Sequence, residues 1–169
     1  MREYHDTEWG VPHHGDDTLF ELLCLEGAQA GLSWRSVLIR REGYRAAFHG
    51  FAIERVAAMT DLELADVLAN GAIIRNRLKV WSVRDNARAA LTVGGGLDRY
   101  LWDFVDGTPV ANRWSTQAEV PATTGISDRM SKDLKKRGFR FTGSTICYAF
   151  MQASGMVNDH PVTCVMHGR

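Results

Sequence analysis

Apolar residues recur every three or four positions along most of the chain, which is the spacing of amphipathic helices. Thr18 and Glu21 match the capping-box pattern, so we expect a first helix that begins there and ends at Gly27 or Gly31. Ser33 is placed to cap a second helix. The apolar positions of these two helices are Leu19, Leu22, Leu23, Trp34, Val37 and Leu38.

The middle of the chain repeats the same signals. Thr60 and Glu63 form a second capping-box pattern, and Asn70-Gly71 is a turn signal. The apolar positions on either side of that turn are Leu64, Val67 and Leu68, then Ile73, Ile74, Leu78 and Trp81. This part of the sequence therefore predicts a helix, a tight hairpin and a second helix.

Glycines divide the remainder. Residues 94–96 are three glycines and predict a loop, and residues 107–125 form the longest weakly patterned stretch. Met130 and Leu134 indicate a helix that ends at Gly138. The last helix ends at Gly155, and its apolar positions are Ile146, Phe150 and Ala153. Since no stretch alternates convincingly at period two, the predicted fold class is all-α.

Length and composition favour one globular domain over residues 1–169. The chain is 45% hydrophobic and 24% charged, within the range of a domain that buries its own core. Met1 is followed by charged residues, and no apolar run approaches the roughly 20 residues that span a bilayer. Cys24, Cys147 and Cys164 lie far apart and are expected to be reduced. We therefore expect a cytoplasmic protein with no membrane segment, and a monomer by default.

The formal net charge is zero, which is not the overall basicity of many nucleic-acid-binding proteins. Any DNA contact must then depend on local charge. Basic residues cluster in two places, at Arg75, Arg77 and Lys79, and at Arg129, Lys132, Lys135, Lys136, Arg137 and Arg140. On the pattern alone, an ordinary solvated helix face is the favoured interpretation of each cluster.

Glu26 is the most informative single residue. It follows Leu22 and Leu23 by three or four positions, so it continues the apolar stripe inward, whereas Glu21 is expected to face water. One interpretation is a helix-end glutamate whose carboxylate reaches solvent. The other is a pocket carboxylate that accepts hydrogen bonds from a ligand or pairs with a positive charge. Leu32, at the tip of the following turn, is either a core contact or a wedge inserted between DNA bases.

Candidate metal ligands come from both ends of the sequence. His160 and Cys164 are four positions apart, a usable spacing for zinc, with His5 as a third ligand and His167 as a possible fourth. The alternative is a set of ordinary surface histidines and a free thiol. With a water in the open position, the three ligands would also suit a zinc hydrolase.

Four segments in order resemble the signatures of the 3-methyladenine DNA glycosylase I family. They are YHDTEWGVP at 4–12, LEGAQAGLSW at 25–34, SKDLKKRGFRFTG at 131–143 and ICYAFMQASGMVNDH at 146–160. The resemblance covers essentially the whole chain, and four long motifs in the right order are far more specific than any one of them.

The resemblance implies a helix-hairpin-helix glycosylase fold, with structural zinc tethering the N- and C-terminal segments through His5, His160 and Cys164. It implies a monofunctional enzyme that flips 3-methyladenine out of alkylated double-stranded DNA and hydrolyses its glycosidic bond. The implied pocket residues are Tyr4, Trp34 and Glu26, the last with the catalytic role. An aromatic sandwich of Tyr4 and Trp34 would select the cationic base. The residues expected to contact DNA are Gly31, Leu32, Ile73, Ile74, Arg75, Arg77, Lys135, Lys136 and Arg137.

The sequence departs from the family pattern in two places. Family members carry a Cys, the fourth zinc ligand, and a Trp upstream of the Tyr-His motif, and this sequence contains neither, so its zinc site is incomplete as written. Ala72 stands directly before the two isoleucines, where family hairpins usually have glycine. A non-catalytic reader of DNA lesions with the same fold is therefore the main alternative function, and the zinc hydrolase is a distant one.

Overall fold

The computed structural model describes residues 1–69 and 72–167, and ten α-helices lie within this part of the chain. They are α1 Arg2–Thr7, α2 Asp16–Gln29, α3 Trp34–Leu38, α4 Arg41–Ala47, α5 Ile53–Ala57, α6 Asp61–Ala69, α7 Arg77–Leu91, α8 Leu97–Trp102, α9 Gly125–Lys136 and α10 Ser144–Ala153. Short 3-10 turns occupy His49–Phe51, Asp103–Val105 and Gln117–Glu119. The prediction of a mainly helical fold is confirmed.

Helix α2 is the centre of the molecule. Every residue from Leu19 to Ala28 is buried, including Glu21 and Glu26, and the helix contacts α3, α7, α8 and α10. A helix that is covered on all sides lies inside the core, so its sequence shows no strong polar face. The sequence-based prediction of one apolar stripe on this helix was therefore too narrow.

Local capping signals were correct at two of the three predicted positions. The Ser33 hydroxyl accepts a hydrogen bond from the Ser36 amide, and Thr60 and Glu63 form the predicted reciprocal pair. The capping box predicted at Thr18 is wrong because α2 begins two residues earlier, after Gly15. The Asp98 carboxylate accepts from the Gly15 amide at 2.7 Å and so ties the start of α2 to α8.

The second helix of the predicted hairpin also begins later than expected. Helix α7 starts at Arg77, and the Asn76 side chain caps it by accepting from the Lys79 amide at 3.1 Å. Ile73 and Ile74 therefore lie in the loop before the helix and do not continue its apolar stripe. Leu78, also assigned to that stripe, is 59% exposed. The turn predicted at Asn70 and Gly71 lies outside the described residues.

Two very short strands add a detail that the period-two analysis missed. Strand β1, Val110–Ala111, pairs in parallel with β2, Val157–Asn158, with Val110 opposite Val157. Two-residue strands are too short to show an alternating pattern. The pair fixes the weakly patterned 107–125 segment beside the C-terminal residues. Among the described residues, no helix has the length and apolarity needed to cross a membrane.

Candidate functional site

A cavity of about 290 Å³ lies between α1, α2, α3 and α10. Its walls are mainly aromatic and amide side chains, with one buried acid. The lining residues are Met1, Tyr4, His5, Trp9, Glu26, Gln29, Trp34, Gln117, Ala149 and Gln152. The cavity therefore brings together the three residues that the sequence proposed for the pocket, Tyr4, Glu26 and Trp34.

Glu26 provides the acid of this cavity. Its side chain is 3% exposed, and its Oε2 atom has no hydrogen-bond partner among the described residues. Burial raises the pKa of the Glu26 carboxyl to about 8, since removal from water disfavours the charged form. A buried polar atom without a partner is costly. The arrangement thus suits a ligand that brings hydrogen-bond donors or positive charge.

Tyr4 and Trp34 form adjoining walls. Their ring centroids are 5.5 Å apart and their planes are inclined at 49°, so the rings touch each other directly. The expected aromatic sandwich of Tyr4 and Trp34 is therefore wrong, because the two rings do not stand as parallel plates with a gap between them. A flat ligand in this arrangement stacks on one ring and meets the other at an angle. The indole Nε1 of Trp34 is buried and has no partner among the described residues, which leaves a second unpaired polar group beside the cavity.

An ion-pair network holds α1, and with it Tyr4, against the core. The Arg41 guanidinium on α4 donates to Glu8, just after α1, and to Glu21 on α2 at 2.7 Å. Arg45 adds a second bridge to Glu21 at 2.8 Å. Glu21 is therefore buried and paired, and the expectation that it faces water is wrong. Burial and the charges of Glu26 and Glu8 raise the pKa of Tyr4, so its hydroxyl stays protonated.

The predicted metal ligands also come together, although His5 and Cys164 are separated by 159 positions. One ligand atom from each of His5, His160 and Cys164 lies within 4.8 Å of the others, and Cys164 Sγ is 3.9 Å from His5 Nε2. Trp9 packs edge-on against His160, with ring centroids 4.5 Å apart, and also lines the cavity. The histidine-cysteine cluster is thus a direct neighbour of the pocket.

The surroundings of the two histidines aim one nitrogen of each at the cluster. His160 Nδ1 is 2.8 Å from Asn158 Oδ1, while its buried Nε2 has no partner among the described residues. His5 Nδ1 is 2.8 Å from Asp6 Oδ1. Such outer contacts orient metal-binding imidazoles in many sites. Gly10 permits the close packing of His160, because a Cβ there would lie 2.8 Å from the imidazole Cε1.

His167, the possible fourth ligand, occupies a different position. Its Nδ1 is 2.8 Å from the His160 carbonyl oxygen, and it does not belong to the cluster formed by the other three residues. In the part of the chain that the structure describes, the cluster therefore has two nitrogen donors and one sulfur donor.

Gly31 and Leu32 lie at the exposed turn after α2. Gly31 has φ of +77°, a conformation that favours glycine, and no atom lies within 4 Å of where a Cβ would stand. Leu32 is 44% exposed, so it is not a core contact. The interpretation of Leu32 as a core contact is therefore wrong, and its role as a wedge between DNA bases stays a prediction.

The hairpin residues divide between the core and the surface. Ile73 is buried, and the Ile74 amide donates to the Tyr44 hydroxyl at 3.3 Å. Arg75 and Arg77 are exposed, and the Arg77 guanidinium stacks on Trp81 at 4.2 Å from the ring centroid. The Ile74 amide is thus hydrogen-bonded within the protein, and the Arg77 side chain is held at the surface.

The basic clusters contain both structural and unengaged cations. Lys79 Nζ donates to the carbonyl oxygens of Ala28 and Ala30 at 2.8 and 2.6 Å, so this lysine caps the end of α2. Arg137, directly after α9, pairs with Asp133 and lies over the Tyr100 ring. Lys135 and Lys136 are exposed, with no hydrogen-bond partner among the described residues. Of the three DNA contacts predicted around α9, Lys135 and Lys136 therefore lack the hydrogen-bonded ion pair that Arg137 makes with Asp133.

Several cavity residues escaped the sequence analysis. Trp9 stands within the first motif and was quoted there without a role, although it lines the cavity. Gln29 and Gln152 also line it, but glutamines on helices carry no distinctive sequence signal. Asp159 is fully buried beside His160 and accepts four hydrogen bonds. Only its position in the fourth motif could have drawn attention to it.

The fold and the site together define a helical protein with an aromatic, acidic pocket suited to a flat, positively charged ring. Comparison with known proteins identifies the family to which it belongs. The sequence profile described as methyladenine glycosylase matches residues 1–167. The chain belongs to this family.

Individual relatives agree with that assignment. DNA-3-methyladenine glycosylase 1 of Escherichia coli K12 is 49% identical over 164 residues, covering 95% of this chain and 88% of the relative. A crystal structure of 3-methyladenine DNA glycosylase I superposes with a TM-score of 0.96 at 48% identity, covering 98% of this chain and 93% of that one. The Staphylococcus aureus enzyme, solved to explain 3-methyladenine recognition, gives 0.95 at 32% identity, covering 97% and 89%.

Proposed function

We propose that this protein is a DNA-3-methyladenine glycosylase, which hydrolyses the N-glycosidic bond of 3-methyladenine in alkylated DNA. The observation that carries the proposal is Glu26, a buried carboxyl with an unpaired oxygen in a cavity walled by Tyr4 and Trp34. Relatives at 49% and 46% identity over almost the whole chain are named for this activity.

The chemistry follows from the charge of the substrate. N3-methylation makes adenine a cation, so the base is already a good leaving group once it has been flipped out of the duplex. The base stacks on one of the two rings, Tyr4 or Trp34, and the π face of that ring attracts the cation. Its charge favours the ionised form of Glu26, which then accepts a hydrogen bond from the exocyclic amine or the ring edge.

Bond cleavage then needs little acid or base catalysis. The bond between C1′ and the ring nitrogen breaks, its electron pair neutralises the base, and positive charge develops on the sugar. A water molecule adds to C1′ and loses a proton. The negative charge of Glu26 favours the positively charged transition state. Among the described cavity-lining residues there is no lysine to form a Schiff base, in agreement with a monofunctional enzyme.

The helix-hairpin-helix assignment is part of the same proposal. The Lys79 amide already donates to the Asn76 side chain, but the amides of Arg77 and Leu78 have no intrahelical acceptors, and a helix N-terminus favours a phosphate. Arg75 and Arg77 are exposed beside it. We place the DNA backbone there. Gly31 and Leu32 are the proposed wedge, since Leu32 is apolar and exposed at the turn that follows Glu26 on α2.

Zinc is also proposed, with His5, His160 and Cys164 as ligands. The support is the donor set, one thiol and two imidazole nitrogens within 4.8 Å, and the unpaired buried Nε2 of His160. Bound there, zinc would act structurally, joining α1 to the C-terminal segment. Because α1 also carries Tyr4, the metal would fix one wall of the cavity.

Release of free 3-methyladenine from methylated duplex DNA tests the proposal. We expect release by the wild type and a rate reduced by about 100-fold or more in Glu26→Ala, because the variant lacks the carboxylate that stabilises the transition state. Glu42→Ala is the control, since Glu42 is an exposed glutamate paired with Arg45 outside the cavity. Binding to methylated DNA without base release would identify a lesion reader and overturn the proposal.

A further inference from the structure

The α10 wall of the cavity contains a side-chain amide whose orientation is fixed. Gln152 on α10 lines the cavity, and its Nε2 donates to Asp159 Oδ2 at 2.8 Å. The same oxygen accepts from the Tyr148 hydroxyl at 2.6 Å. The other carboxylate oxygen accepts from Asn112 and Trp114, each at 2.7 Å. Four donors therefore converge on a carboxylate with no solvent exposure.

This cluster determines which atom of Gln152 remains available. A carboxylate surrounded by donors accepts only, so Gln152 must turn its NH₂ group toward Asp159. Its Oε1 atom has no hydrogen-bond partner among the described residues. The side chain is only partly buried, and the residue belongs to the cavity wall. A hydrogen-bond acceptor of fixed orientation is thereby left for the cavity.

We propose that Gln152 is a specificity-determining residue that favours bases with an amino group at position 6, and that Asp159 is the residue that positions it. This inference rests on the proposed function, because it takes the cavity to hold the flipped base. An amine donates to Oε1, whereas a carbonyl oxygen at the same position places two acceptors face to face. A pocket acceptor left facing another acceptor weakens binding by about tenfold.

The cluster also predicts how the preference can be reversed. In Asp159→Asn, the oxygen of the introduced amide must face Trp114, because an indole N–H only donates. The new NH₂ group then faces Tyr148 and Gln152. The Tyr148 hydroxyl is able to accept, and Gln152 satisfies the new donor by turning its Oε1 inward. The NH₂ group of Gln152 would then point away from position 159 and offer a donor to the cavity.

The test compares two free bases, 3-methyladenine and 3-methylhypoxanthine, which carry an amine and an oxygen at position 6. Affinities are measured through quenching of tryptophan fluorescence. We expect the wild type to prefer 3-methyladenine and Gln152→Met to lower that preference about tenfold. Asp159→Asn should shift it further, toward the oxygen-bearing base. Glu42→Gln, at an exposed residue paired with Arg45 outside the cavity, should keep the wild-type ratio.

A merely structural role would lower both affinities together and leave their ratio unchanged, and that result in Gln152→Met overturns the inference. Because loss of a buried carboxylate can prevent folding, thermal unfolding is recorded for every variant, and Gln152→Met alone decides the assignment if Asp159→Asn is unfolded. A wild type that binds neither base, or both equally, also overturns it. Base release from DNA is measured separately. An inference about Gln152 that fails can therefore be distinguished from a proposed glycosylase activity that fails.

Discussion

Glu26 shows how a single side chain can oppose the stability of the fold that it serves. Its carboxyl is buried without a partner for Oε2 among the described residues, and burial raises its pKa to about 8 from 4.5. The folded protein therefore holds this proton across a range in which the unfolded chain has released it. The destabilising effect of the buried Glu26 carboxyl is therefore smallest below pH 4.5, where the folded and the unfolded chain both hold the proton, and it grows as the pH rises to about 8.

Glu26→Gln should remove this dependence, because an amide does not ionise. We expect the variant and the wild type to differ least near pH 5 and the variant to gain relative stability up to pH 9, by at most about 5 kcal/mol. Urea unfolding at a series of pH values measures the difference. Parallel stability curves for the two proteins would show that Glu26 is not protonated in the folded state.

Among single residues, the sequence identified Tyr4, Glu26 and Trp34 as pocket residues. It did not indicate the angle between the two rings or the other residues that line the cavity. Glu26 stood out because an acid on an apolar stripe is unusual. Gln152 and Asp159 gave no such signal, since their roles arise from contacts between α10 and the 110–114 segment, which are distant in sequence. Glu21 was misjudged for the same reason, because its arginine partners lie on another helix.

Helix α2 ends at the cavity, and its end depends on a residue far along the chain. Lys79 Nζ donates to two carbonyl oxygens at the end of α2 and ties α7 to it. The segment between these oxygens and Ser33 carries Gly31 and Leu32. The position of the proposed wedge is thus set by an interaction between two helices.

Lys79→Met should destabilise the protein by about 1–3 kcal/mol, because it keeps most of the unbranched apolar stem but removes both hydrogen bonds. Lys135→Met is the matched control, since Lys135 is exposed without a hydrogen-bond partner among the described residues, and its effect should stay within about 0.5 kcal/mol. Urea unfolding compares the two variants. Equal losses would mean that the contacts to Ala28 and Ala30 contribute nothing to stability.

Element boundaries were predictable where their signals were local. Ser33, and Thr60 with Glu63, cap their helices through residues three positions apart, and this spacing is visible in the sequence. The start of α7 was placed too early because Ile73 and Ile74 have helical spacing but pack as a loop. The hydroxyl that accepts from the Ile74 amide belongs to α4, about 30 residues earlier, so no local pattern could indicate it.

At the scale of the whole molecule, the proposed zinc site joins residues 5 and 164. Zinc should therefore raise the midpoint of thermal unfolding. The corresponding gain in the free energy of unfolding is about 2.7 kcal/mol when the free metal is 100 times its dissociation constant. His160→Ala and Cys164→Ser should lose most of this gain. His14→Gln, at an exposed histidine paired with Asp98, should keep it. A midpoint that zinc and chelators leave unchanged would argue against a metal at this cluster.

The overall charge of zero makes DNA affinity depend on a few local cations. Lys132, Lys135 and Lys136 lie three and four positions apart on α9, so they share one face, and all three are exposed. Arg137 follows directly, but its guanidinium is already held by Asp133 at 2.8 Å and by the Tyr100 ring. A charge that is already paired releases fewer counterions from DNA than an unpaired one.

Lys135→Ala combined with Lys136→Ala should therefore lower the slope of log affinity against log salt by about 2, since each phosphate contact contributes about 0.9. Arg137→Ala should change the slope by less than half as much. Fluorescence anisotropy with an undamaged duplex at several salt concentrations measures both. If Arg137→Ala has the larger effect, its pairing with Asp133 does not persist on DNA; if neither variant changes the slope, α9 lies away from the DNA, and the contacts must come from the turn at Leu32 and the start of α7.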